Sequence, residues 1–100
     1  MAIVMHVVNT PKEDAREAYL SSWERLDERG ARHPTGRLSH TAWLVGDVLH
    51  VVDVWESQEE LNAFMPVVGQ VMEGAGMVLD GQPEVGELLN VVVPARGDAT

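Results

Sequence analysis

One hundred residues make a single domain, which at this size buries about 65% of the surface its unfolded chain exposes and so has a modest core. Sixteen acidic against seven basic residues give a formal charge of -9; such a charge repels phosphate backbones and anionic membranes and leaves no basic stripe, so neither nucleic acid nor membrane is an expected partner. There is no cysteine, which removes disulfides, thiolate chemistry and cysteine-ligated metal. The opening Met1 to Val8 lacks the basic start and long apolar run of an export signal, and no apolar run approaches the ~20 residues that cross a bilayer, so a cytoplasmic protein is expected.

Ala2 to Val8 is short, apolar and rich in β-branched residues, interrupted by His6, and fits a strand covered on both faces. Thr10 to Glu13 (TPKE) offers a capping hydroxyl, a proline where no amide donor is needed and a glutamate three positions on, which places a helix start there. Ala15, Tyr19, Trp23 and Leu26 recur at helical spacing on one face, while Glu13, Glu17, Glu24, Asp27 and Glu28 stay polar and Gly30 supplies a left-handed stop.

Ala31 to Gly36 is a loop punctuated by proline and glycine. Arg37 to Val45 and Val48 to Trp55 then flank Gly46-Asp47, and glycine first in a two-residue loop suits a type II′ hairpin turn. That turn sets a register in which Val45 faces Val48, Leu44 faces Leu49, Trp43 faces His50, His40 faces Asp53 and Leu38 faces Trp55. Ser57 to Glu60 (SQEE) is a second capping box, followed by the apolar stripe Leu61, Phe64, Met65, Val68 and Met72. Pro66 removes one amide bond and should kink this helix or split it. Gly74 and Gly76 end it, Met77 to Pro83 is irregular, and Val85 to Val93 is the last strand. The domain spans residues 1–94, with a polar tail over residues 95–100.

The order β-α-β-β-α-β predicts an α+β, ferredoxin-like fold: a four-stranded antiparallel sheet with two helices on one side. Apolar residues occupy both faces of the strands: Ile3, Met5 and Val7 alternate with Val4 and Val8, and Leu88 and Val92 with Leu89, Val91 and Val93. The helix-free face of such a sheet is normally polar, and a broad apolar patch is rarely left in water. The expected partner is a second copy, sheet against sheet, in a homodimer.

The stretch Asp53 to Phe64 (DVWESQEELNAF) resembles the antibiotic-biosynthesis-monooxygenase-like families of the dimeric α+β barrel superfamily. These carry an acidic residue, a spacer and Trp at the end of the third strand, then Ser, an acidic residue and an apolar residue entering the second helix; Asp53, Trp55, Ser57, Glu59 and Leu61 fit. The resemblance implies a dimeric α+β barrel with a cavity in each subunit between sheet and helices. It also implies an aromatic or polyketide-like ligand and a cofactor-free, monooxygenase-like or isomerase-like activity. Many relatives place His on the second helix near the positions of Phe64 and Met65, and in the haem-degrading branch that His ligates iron. Neither side chain here can do so, and the resemblance does not carry haem degradation to this chain.

Within such a cavity His40 and Asp53 are the catalytic candidates, since a carboxylate orients an imidazole and leaves its other nitrogen free to accept a proton. The same pair also reads as two buried polar groups satisfying each other. Trp55, Tyr19, His6 and Phe64 are the substrate-binding candidates; Trp55 reads equally as core, and His6 as a structural strand histidine. The four histidines lack the spacing of a metal site, so no metal and no cofactor is expected. The alternative function is a non-catalytic dimer that binds a small apolar ligand or plays an accessory role.

Overall fold

Alternate residues of Ile3–Asn9 (β1) are buried, with Ile3, Met5, Val7 and Asn9 inward and Val4, His6 and Val8 on the other face. That is the pleat of a strand whose one side is covered by helices. The computed structural model describes residues 1–92. After β1 come the helix Ala15–Glu28 (α1), the strands Arg37–Val45 (β2) and Val48–Trp55 (β3), the helix Gln58–Gly74 (α2) and the strand Glu84–Glu87 (β4). The sheet runs in the order β2-β3-β1-β4 with antiparallel neighbours, which is the ferredoxin-like α+β fold. Its core lies between sheet and helices, where Ile3, Met5, Val51 and Trp55 meet Leu26, Leu61, Phe64 and Val71. Among the described residues no helix is long and apolar enough to cross a membrane.

The hairpin forms as its turn dictates. Gly46 has φ 59, and among the described residues no non-glycine residue has positive φ, as a type II′ turn requires. Val45 pairs with Val48, Leu44 with Leu49, Trp43 with His50 and His40 with Asp53. Ser57 caps α2, its hydroxyl accepting from the Glu60 amide at 3.3 Å. Both helices end in the same motif: Gly30 and Gly76 adopt positive φ, and the amides of Ala31 and Met77 return to the carbonyls of Leu26 and Met72 at 2.8 and 2.9 Å.

Four expectations need correction. The first helix starts at Ala15 with Asp14 as its cap, the Asp14 carboxylate accepting from the Glu17 amide at 2.9 Å, and not at Thr10. The Thr10 hydroxyl donates to the Asp80 carboxylate instead of capping, and the amides of Thr10 and Lys12 bond the carbonyls of Val78 and Gly76, which ties this segment to the chain after α2. Pro66 does not split α2. It is exposed, as is Asn62, whose carbonyl loses the amide bond; water can serve that carbonyl while Phe64, Val68 and Val71 hold both halves against the core.

The last strand is Glu84–Glu87, not Val85 to Val93. Its partner β1 begins at Ile3, opposite Glu87, and a final bond joins the Leu88 amide to the Ala2 carbonyl at 3.0 Å; beyond it there is no neighbouring backbone to pair with. Val93 and the polar tail of residues 95–100 lie outside the described residues. Finally, Leu38 does not face Trp55: the register shifts between Arg37 and Ser39, so Arg37 faces Trp55 and Ser39 faces Val54.

Candidate active site

The register of the hairpin brings His40 and Asp53 side by side on the inward face of the sheet, with Nδ1 2.6 Å from Oδ1. Asp53 is 4% exposed, so its carboxylate has little water and depends on that partner. The Asp53 carboxylate accepts from Nδ1–H, which leaves Nε2 as the acceptor of a neutral imidazole. Facing that nitrogen, 2.7 Å away, is the hydroxyl of Tyr19 from α1. The three side chains form one chain of hydrogen bonds, Asp53 to His40 to Tyr19. Trp23, one turn after Tyr19, packs edge-on against the His40 ring, with centroids 5.2 Å apart and planes at 86°, and so fixes its orientation.

These groups line one end of a cavity of about 220 Å³ between sheet and helices. Its remaining wall is largely apolar, from Met5, Val7, Leu49 and Val51 on the strands and Met65, Val68 and Met72 on α2. Thioether side chains adapt to ligand shape better than branched ones. Gly69, Glu73 and Leu79 line the cavity and are exposed, so it reaches the surface beside the second half of α2.

Arg37 also lines the cavity. Strict alternation from His40 would send position 37 to the helix-free face. The extra residue at Leu38 reverses the alternation and re-aims Arg37 inward. Its guanidinium lies 5.6 Å from the centre of the Trp23 ring and 5.7 Å from that of Phe64, and one arm donates to the Arg32 carbonyl at 2.9 Å. The result is a cation fixed against aromatic faces.

Of the residues singled out from sequence, His40, Asp53, Tyr19 and Phe64 line the cavity. Trp55 does not. It is 0% exposed and packs on Phe64 with ring centroids 5.5 Å apart, behind the cavity wall. His6 lies on the opposite face, because it sits at an even position of a strand whose odd positions turn inward; there it stacks with His50 and Trp43, its Nε2 3.2 Å from His50 Nδ1.

Among the lining residues that the sequence does not single out as site residues, Arg37 and Asn9 bring polar groups. Arg37 was hidden by a bulge that no local signal announces. Asn9 was legible in principle: it continues the inward series Ile3, Met5, Val7 with a polar side chain. It is 0% exposed, lines the cavity, and neither its Oδ1 nor its Nδ2 has a hydrogen-bond partner among the described residues.

No family model matches the sequence, and no curated protein matches it. Solved structures do. The fold is similar to that of a candidate antibiotic biosynthesis monooxygenase from Chloroflexus aurantiacus J-10-fl, with a TM-score of 0.71 and 17% identity over 93% of this chain and 98% of that one. Rv0793 from Mycobacterium tuberculosis matches with a TM-score of 0.67 and 16% identity over 93% of this chain and 100% of that one. SnoaB, a cofactor-independent oxygenase from Streptomyces nogalater, matches with a TM-score of 0.65 and 15% identity over 91% of this chain and 96% of that one. Likeness at such identities is likeness of fold. The antibiotic-biosynthesis-monooxygenase-like proteins that the stretch from Asp53 to Phe64 resembles are thus among the structures that share this chain's architecture.

Proposed function

We propose that this protein is a homodimer that binds a hydroxylated aromatic or polyketide-like molecule in its cavity and takes the proton from that hydroxyl, with no cofactor. The observation that carries this reading is the chain from Asp53 through His40 to Tyr19, which ends in a largely apolar cavity. A ligand hydroxyl that takes the place of the Tyr19 phenol donates to Nε2. The proton passes to His40, the imidazolium is held by Asp53, and the electron pair stays on the ligand oxygen and spreads into the ring. Arg37 is the cation near the oxygen anion so formed. Return of the proton at a ring carbon gives an isomer. Attack of that carbon on dioxygen, the co-reactant an oxygenase requires, forms a C–O bond to a peroxide anion that takes the proton back from His40; loss of water from the hydroperoxide, with the ring hydrogen of that carbon, leaves a carbonyl there.

The likeness to a cofactor-independent oxygenase and to a candidate monooxygenase supports the reading. The dimer is supported by the apolar side chains of the helix-free face, Val4, Val8, Val48 and Val52 beside Trp43 and Val45, and by Leu89 and Val92 beyond β4, which are 91% and 83% exposed. A non-catalytic ligand-binding dimer would share the cavity and differ only in the fate of the proton.

Calorimetric titration with 2-naphthol tests the binding step. Saturable binding that disappears in Val68→Trp, a variant that fills the cavity from α2, is the expected outcome. Absence of binding to the parent, or binding that survives a filled cavity, contradicts it.

A further inference from the structure

The helix-free face of the sheet carries two imidazoles near its centre. His6 on β1 and His50 on β3 stand on the two inner strands of the order β2-β3-β1-β4, with His6 Nε2 3.2 Å from His50 Nδ1. Trp43 on β2 adds a third, nearly parallel ring, its centroid 5.0 Å from that of His50, and is 41% exposed in the single chain. A contact between two imidazole nitrogens is a hydrogen bond only while one of the two lacks a proton. The intact pair therefore carries at most one positive charge.

The surroundings have little to offer a second one. On this face the pair is flanked by Val4 and Val8 on β1, Val48 and Val52 on β3, and Thr41, Trp43 and Val45 on β2, none of which titrates. Glu84 on β4 pairs directly with His6 and is the carboxylate beside it; Asp47 sits at the hairpin turn, beyond Val45 and Val48. Among the described residues no lysine or arginine occupies a strand position of this face. Charge also argues for a second copy as the partner. The chain carries a formal charge of -9, so two copies repel each other over most of their surfaces. This face, neutral apart from Glu84 and Asp47 near its edges, is where they can approach with the least like charge opposed.

We propose that the His6–His50 pair makes the dimer pH-sensitive: with at most one proton on each pair the two faces stay together, and uptake of a second proton separates them. The inference rests on the reading that this face is buried against a second copy, and adds its regulation. Two imidazoliums side by side in an apolar layer repel far more strongly than in water. Separated chains expose both rings and accept the proton. Dissociated copies thus bind more protons than the dimer, so acidification through the ordinary histidine range near 6.5 favours dissociation. With one extra proton per copy, the dissociation constant of the dimer rises by up to about a hundredfold per pH unit. Net charge alone gives the opposite sign, because acidification reduces the negative charge that drives the copies apart.

The test is sedimentation equilibrium at constant ionic strength, at pH 7.5 and pH 5.5, on the parent and on His50→Gln, which keeps a hydrogen-bonding side chain beside His6 and removes one proton site. The other two histidines, His33 in the loop before β2 and His40 against Asp53, are the same in both proteins. The dissociation constant of the parent should be at least about tenfold larger at pH 5.5, reversibly and with its far-UV circular dichroism unchanged. That of His50→Gln should change by less than about threefold. His6→Gln is the reciprocal variant, expected to behave in the same way, and keeps the comparison if His50→Gln does not fold. A parent dimer that is equally tight or tighter at pH 5.5, one that dissociates only as its helical signal is lost, or a folded variant that loosens as much as the parent overturns the switch alone. A parent that is monomeric at pH 7.5 removes the dimer reading with it.

Discussion

His40 and Asp53 meet across the β2–β3 hairpin with Nδ1 2.6 Å from Oδ1, and the same imidazole faces the Tyr19 hydroxyl at 2.7 Å on its other nitrogen. On the proposed reading, Tyr19 stands where the ligand hydroxyl would go. Tyr19→Phe should therefore free Nε2 and tighten 2-naphthol binding by about three- to tenfold, the worth of one net hydrogen bond no longer competed for. Calorimetry reads this directly. Weaker binding would mean that the phenol is the ligand's own partner.

Arg37 reaches the cavity through the bulge at Leu38, and its charge has a different signature from that of a neutral hydrogen-bonding group. Arg37→Gln should weaken binding of an ionised nitronaphthol by about tenfold or more, since bonds to charged groups are the stronger ones. Affinity for neutral 2-naphthol should stay the same. An equal loss for both ligands would assign Arg37 to packing on Trp23 and Phe64.

The helix-free face is tested at Val52, half-buried and paired with His6 and Thr41 near the middle of the sheet. Val52→Asp should turn a dimer into a folded monomer by light scattering, since an unpaired charge in an apolar interface costs several kcal/mol. Val54 is less suitable, being buried within the single chain. A parent protein already monomeric at micromolar concentration would contradict the dimer.

Gly36 and Gly86 make a stability contrast. Gly36 has φ 89, and a Cβ there would run into the Glu60 side chain at the start of α2. Gly86, on β4, has neither a positive φ nor an atom near the added carbon. Gly36→Ala should lower stability by about 1–2 kcal/mol, and Gly86→Ala should leave the melting temperature within about 2 °C of the parent. Equal effects would mean that the turn into β2 is not held as described.

What could be read from the sequence follows from how local its causes are. The Gly46-Asp47 turn carries its own geometry, and from it the pairing of His40 with Asp53 follows by counting. Ser57 caps α2 with groups only three residues away. Thr10 and Glu13 look like a capping box locally, but the Thr10 hydroxyl donates to Asp80, which is distant in sequence, and α1 starts after Asp14 instead. The end of β4 was misplaced for a like reason: Leu89, Val91 and Val92 have strand character, but β1 offers them no backbone. Tyr19 reached the site by helical spacing, whereas Arg37 needed a bulge that depends on how two strands fit. His6, a candidate for the cavity or a structural strand histidine on the sequence reading, lies on the other face, as alternation from Met5 and Val7 already implies.

The central claim is that His40, held by Asp53, removes a proton from an aromatic hydroxyl inside the cavity. A nitro-substituted naphthol tests it, because its ionised form absorbs at longer wavelength than its neutral form. In a buffer that leaves the free compound neutral, binding to the parent should shift its absorption to that of the ionised form, and binding to His40→Gln, with Asp53 still in place, should not. A bound compound that stays neutral in the parent, or that ionises equally in both proteins, would contradict the account and leave His40 and Asp53 as a structural pair.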